Sequence, residues 1–169
     1  MDRRSFLKAV GAIFVLGACN SANAFSFKRE NSITLERLKE EAVGYDLVVA
    51  DSDGEIKKYK GKGLKPIFEH LKKDNFKNCF VYDKLTGKAS ALLLAYGKAK
   101  KLYTRTLSRE ALPILEKYNI EYEVEILTDY IINWSKTDKC PMEKAVENTD
   151  NPQSAYKILK SKFQDLSWK

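Results

Sequence analysis

The chain has 169 residues, 44% of them hydrophobic and 31% charged, which suits one domain with a real core and excludes a disordered tail. One histidine and three cysteines exclude most multi-ligand zinc sites of ordinary composition. The net charge of +7 is carried by scattered lysines with no arginine-rich stripe, so no nucleic-acid partner is expected; only residues 57–65 cluster at all.

Residues 1–24 have a basic start, a short apolar middle and a small-residue end, the pattern of an export signal. Arg3-Arg4-Ser5-Phe6-Leu7-Lys8 resembles a twin-arginine leader, which implies the twin-arginine translocase as a partner during export. Two processing sites compete. Ala22-Asn23-Ala24 fits signal peptidase and predicts a soluble periplasmic chain starting at Phe25. Leu16-Gly17-Ala18-Cys19 is lipobox-like and predicts a lipid on Cys19 instead. The apolar run at 9–18 is about half of what a bilayer span requires, so no transmembrane segment is expected in the mature chain.

After a polar tether at 25–33, one domain is expected over 34–165. Leu35, Leu38 and Ala42 follow helical spacing, and Gly44 stops the helix. Leu47-Val48-Val49 predicts a strand, Asp51-Ser52-Asp53-Gly54 a turn, and residues 56–59 the second arm of a hairpin. Leu64, Ile67, Phe68 and Leu71 form one apolar helical face with Pro66 in its first turn. A strand at 79–82 and a nearly all-round apolar helix at 86–96, ended by Gly97, come next. A strand at 102–104, a helix at 108–118 and a strand at 121–126 complete the rhythm. Strict alternation in that last strand predicts one wet face. Pro141 and Pro152 each suit the first turn of a further helix, with Asn151 as an N-cap. Strands alternating with helices predict an α/β sandwich with helices on both faces of the sheet.

The segment Asp83-Lys84-Leu85-Thr86-Gly87-Lys88 joins a strand to the buried helix. Strand ends collect ligands in α/β sheets and helix starts attract anions, so Asp83, Lys84, Gly87 and Lys88 are candidates for binding a small anionic or nucleotide-like ligand. The spacing is not that of a P-loop, and turn and capping duty is the competing explanation. Cys140, at a helix start, is the candidate nucleophile of a cysteine enzyme, although nothing brings the only histidine, His70, toward it. His70 is expected at a helix edge or on the surface. A Cys79–Cys140 disulfide is an alternative suited to an oxidising compartment, against Cys79 as a small buried hydrophobe. Asn133 and Trp134 sit in a polar stretch near Tyr130, where an aromatic ring either stacks on a flat ligand or packs under the loop.

Leu47-Val48-Val49, Gly61-Lys62-Gly63-Leu64-Lys65-Pro66, the block from Asp83 to Tyr96, Tyr130-Ile131-Ile132-Asn133 and Cys140-Pro141-Met142-Glu143-Lys144 together resemble domain of unknown function 1893. The resemblance runs from Leu35 to Leu159. It implies a cytidine-deaminase-like three-layer sandwich, a mixed sheet of about five strands. Zinc deaminases carry His or Cys ligands and a Glu at two helix starts. The corresponding turns here, 61–64 and 83–88, contain none of these, so zinc-dependent deamination and a metal cofactor are not expected. An envelope partner-binding module remains a further alternative. Members of the family generally look like plain cytosolic domains, and the leader sets this chain apart.

Overall fold

A computed structural model describes residues 34–165; the leader, the tether and Cys19 lie outside the described residues. Helix α1 (Leu35–Glu41) is N-capped by Thr34, whose hydroxyl accepts from the Arg37 N–H at 3.3 Å, and Gly44 follows it at φ +78°, where a side chain would be strained. Strands β1 (Leu47–Ala50) and β2 (Ile56–Tyr59) form the expected hairpin. Then come α2 (Lys65–Leu71), β3 (Phe80–Thr86), α3 (Lys88–Tyr96), β4 (Lys101–Ser108), α4 (Leu112–Lys117), β5 (Glu121–Thr128), α5 (Pro141–Ala145) and α6 (Pro152–Asp165).

The five strands make one mixed sheet in the order β2-β1-β3-β4-β5. β1 runs antiparallel to both β2 and β3, whereas β3, β4 and β5 are parallel. Alternation divides the core as a pleated sheet requires. Leu47, Val49, Val81 and Leu102 face the larger cluster, with α2, α3 and the later helices. Val48, Ala50, Tyr82 and Tyr103 face a smaller one closed by Leu38 and Ala42 of α1. Helices therefore cover both faces, unequally. Helix α3 is buried from Ala89 to Leu94 and touches α2, α4, α5 and α6, which is why its sequence is apolar all round.

Three local expectations are revised. β3 continues through Thr86, and β4 runs to Ser108, because each strand breaks its alternation at a matched point. Lys84 and Leu85 are both exposed, and Leu85 pairs with the half-buried Thr106. Beyond that break Thr86 turns inward, and its hydroxyl lies 2.8 Å from Asp83 Oδ2 and 3.1 Å from Thr104 Oγ1. The helix expected at 108–118 begins as a 3₁₀ turn, Arg109–Ala111, before α4. β5, expected to have one wet face, is an edge strand with apolar Val124, Ile126 and Leu127 all exposed.

Candidate functional site

Because Leu47 lies opposite Asp83 in the antiparallel pair, the chain entering β1 and the chain leaving β3 meet at one end of the sheet. The Lys84 N–H donates to the Asp46 carbonyl at 3.0 Å. Helices α2 and α3 both begin at this end. A cavity of about 490 Å³ opens there, lined by Asp46, by Gly61, Gly63, Leu64, Pro66 and Ile67 around the start of α2, by the end of β3 with Gly87 and Ser90, and by residues 131–135 and 140–143. Its walls are mostly apolar: Leu64, Ile67, Leu85, Ile131, Ile132, Trp134 and Met142. The volume falls within the range usual for small-molecule sites.

Residues 131–140 form a flap. Ile132 and Lys139 make an isolated antiparallel bridge, and the Cys140 N–H donates to the Ile131 carbonyl at 2.8 Å. Ile131 anchors the flap in the interior, while Trp134 is 73% exposed at the cavity mouth. The Lys62 ammonium stands 5.9 Å from the Trp134 ring centre. Asn133 lines the cavity, but its amide is spent on the flap itself. Its Oδ1 accepts from the Thr137 N–H at 3.0 Å and the Ser135 hydroxyl at 3.1 Å, and its Nδ2 donates to Thr137 Oγ1 at 3.2 Å.

The start of α3 is already occupied. Glu143, only 4% exposed, reaches across from α5 and accepts from the Lys88 N–H at 2.7 Å and the Ala89 N–H at 3.1 Å. A carboxylate on these two donors does what an anionic ligand would do. Burial raises the Glu143 carboxyl's pKa, and the two backbone N–H groups oppose that rise. Gly87 is glycine for space rather than for φ. A Cβ there would sit 2.4 Å from Glu143 Oε1, although its φ of −102° suits any residue.

Of the expected residues, Asp83, Lys84, Gly87, Asn133 and Cys140 all line the cavity. Lys88 is turned elsewhere. Its ammonium pairs with Asp150 at 2.9 Å and donates to the Glu147 carbonyl at 2.9 Å, bracing α3 against the turn before α6. The Lys84 ammonium lies 3.5 Å from Asp46 Oδ1 and is itself more than half exposed. Asp83 is 8% exposed, and burial pushes its carboxyl up to about 7 against the hydrogen bonds from Thr86, the Leu85 backbone and Ser90. No Lys, Arg or His among the described residues pairs with it. Glu143 and Asp46 were the residues missed from sequence. The spacing of Gly87 and Glu143, 56 positions apart, carries no local signal, while Asp46 reads as an ordinary polar residue entering a strand.

The remaining cysteine and histidine expectations are corrected. Both Cys79 and Cys140 are free. Cys79 directly precedes β3, and Cys140 lines the cavity beyond the other end of that strand, on the order of 20 Å away at a strand's rise. A disulfide needs Cα atoms within about 7 Å. His70 is 1% exposed rather than on an edge. Its Nδ1 lies 3.0 Å from the Tyr59 hydroxyl and its Nε2 3.1 Å from the Asn75 carbonyl, and its ring stacks on Phe76. Burial lowers its pKa, and the only imidazole in the chain is thus held in the core with both nitrogens partnered. Cys140 has no histidine base. Among the described residues no group of three or more His, Cys, Asp or Glu is placed to hold a metal ion. No helix among them is long and apolar enough to cross a membrane.

The two thiols are expected to differ sharply in reactivity. Cys79 is in the core, and burial pushes its pKa up to about 11. Cys140 is half-buried at the cavity. Alkylation of the native protein at pH 8 followed by peptide mapping should modify Cys140 and leave Cys79 intact until denaturant is added. Labelling of Cys79 at a comparable rate would contradict this burial.

Fold and cavity together define an α/β domain with a cavity of small-molecule size at the carboxyl end of β3. The profile of domain of unknown function DUF1893 matches residues 34–163, and the chain belongs to that family. It is similar to a DUF1893 family protein of known crystal structure, TM1506 from Thermotoga maritima, with 26% identity and a TM-score of 0.68 over 78% of this chain and 93% of that one. Among curated proteins no significant match is found.

Proposed function

We propose that this chain is a small-molecule-binding domain that works outside the cytoplasm and holds a flat, largely apolar ligand beneath Trp134. The observation that carries the reading is the cavity of about 490 Å³, walled by aliphatic side chains, with an exposed indole at its mouth and a few polar groups from Asp83, Asp46 and Cys140. Export is supported by Arg3-Arg4 and the small-residue end at Ala24, with a lipid on Cys19 as the alternative outcome of processing. The deaminase-like architecture belongs to the same proposal, supported by the hairpin followed by alternating helices and parallel strands. The anionic ligand is replaced by a neutral or cationic one. Glu143 takes the donors at the start of α3, Lys88 is directed to Asp150, and Lys84 stands beside Asp46.

Thermal-shift screening of the full chain with small aromatic compounds tests this reading. A compound that raises the Tm should lose at least tenfold in affinity on Trp134→Ala, a change at an exposed position that leaves the fold intact. Alkylating Cys140 with a bulky maleimide should block binding as well. Binding that survives both changes would place the ligand elsewhere.

A further inference from the structure

Resting on that reading of the cavity, we infer that its ligand is a flat aromatic or heteroaromatic ring carrying a cationic pair of N–H donors, an amidine or a protonated amino-heterocycle, with its charge set against Asp83 and its ring against Trp134.

Acids dominate the charged lining of the cavity. Asp46, Asp83 and Glu143 all line it, against one lysine, Lys84. Two of the three carboxylates are already compensated. Glu143 has the two N–H groups at the start of α3. Asp46 accepts from the Gly61 N–H at 3.0 Å and has the Lys84 ammonium at 3.5 Å. Asp83 differs. It is more than nine-tenths buried, and its partners are the neutral Thr86 hydroxyl at 2.8 Å, the Leu85 backbone and the Ser90 hydroxyl. No cation among the described residues lies within ion-pair distance of it. A buried carboxylate without a counter-ion is costly, and a cation delivered by a ligand removes that cost. Each carboxylate oxygen has two lone pairs, so Thr86 leaves room for further donors. Paired N–H donors in one plane are the geometry that carboxylates accept best.

The second, independent observation is the indole. Trp134 is 73% exposed at the mouth, and the cation nearest its ring is Lys62 at 5.9 Å. An indole this exposed at the mouth offers a flat face on which an aromatic ring stacks. The apolar walls from Leu64, Ile67 and Met142 exclude water from the rest of a ring. An anion meets the opposite conditions: two carboxylates, an occupied helix start and a lysine committed to Asp46.

Calorimetric titration of the full chain at pH 8 with benzamidine, its neutral isostere benzamide and its anionic counterpart benzoate separates the possibilities. Benzamidine should bind at least tenfold more tightly than benzamide, and benzoate should show no binding. Asp83→Asn should abolish the preference, bringing benzamidine down to the level of benzamide. Trp134→Ala should weaken both by a similar factor. Equal affinity for benzamidine and benzamide, or a preference that survives Asp83→Asn, overturns the inference while leaving the cavity as a binding site. Binding of none of the three overturns both. Should Asp83→Asn fail to fold, the three-ligand comparison on the unaltered chain decides alone.

Discussion

Gly87→Ala should destabilise the domain by about 2–5 kcal/mol, lowering the Tm by roughly 10 °C, although the substitution adds one methyl and suits the local backbone. The new Cβ would lie 2.4 Å from Glu143 Oε1 and 2.6 Å from its Cδ, so the carboxylate must move. Moving it strips the Lys88 and Ala89 N–H groups of the buried carboxylate that both donate to. The φ of −102° and ψ of −173° at Gly87 are open to every residue, so no part of the cost is backbone strain. Glu143→Ala should cost a similar amount by exposing the same two donors, and the double variant should cost little more than either single one. Chemical denaturation of the three variants measures this directly. Additive losses would mean that Gly87 and Glu143 act independently and that the close approach is not what selects glycine.

The pair also shows why the fold was more legible than the site. Hydrophobic spacing in α2, the all-round apolar α3 and the Asp-Ser-Asp-Gly turn each depend on residues a few positions apart, and each appears as expected. Helices on both faces of the sheet followed from the alternation of strands and helices. What failed were features set by hydrogen bonds and ring contacts that hydrophobic periodicity does not encode. β3 runs on to Thr86 because Asp83 and Thr104 receive its hydroxyl. His70 is internal because Tyr59, Phe76 and the Asn75 carbonyl surround it. Trp134, which the sequence leaves open to stacking on a flat ligand or packing under the loop, stands exposed beside the bridge between Ile132 and Lys139. The 83–88 segment was correctly read as lying at a strand end and helix start. At that helix start the chain supplies a carboxylate of its own, Glu143, 56 residues beyond Gly87. Position within an α/β unit thus located the cavity, while its charge balance depended on Asp46 and Glu143, which no local pattern marks.

Asp83→Asn should become progressively more stable than the unaltered protein as pH rises from 4 to 8, reaching a gain on the order of 2–4 kcal/mol. Burial holds the folded Asp83 carboxyl up at about 7, whereas in the unfolded chain it ionises near its ordinary value of about 4. Below pH 4 both states are protonated and its contribution to stability is complete. Between about 4 and 7 only the unfolded state releases the proton, so stability falls with rising pH until the folded carboxyl ionises as well. The groups facing it account for the direction. Thr86 and Leu85 come from its own strand and Ser90 from α3, all neutral donors, while the nearby Asp46 charge raises the pKa further. Glu143 from α5 lines the same cavity, and Lys84 is directed to Asp46. His70, lowered by burial, acts with the opposite sign: as the pH falls below about 6.5 the unfolded imidazole takes up a proton that the buried one resists, so stability falls with falling pH. The total profile of either protein therefore mixes both effects, and the difference between the two proteins isolates Asp83. Urea titrations at half-unit pH intervals would supply that difference. Parallel profiles would mean that Asp83 is ionised in the folded protein across this range, with a counter-charge already in place and no need of one from a ligand.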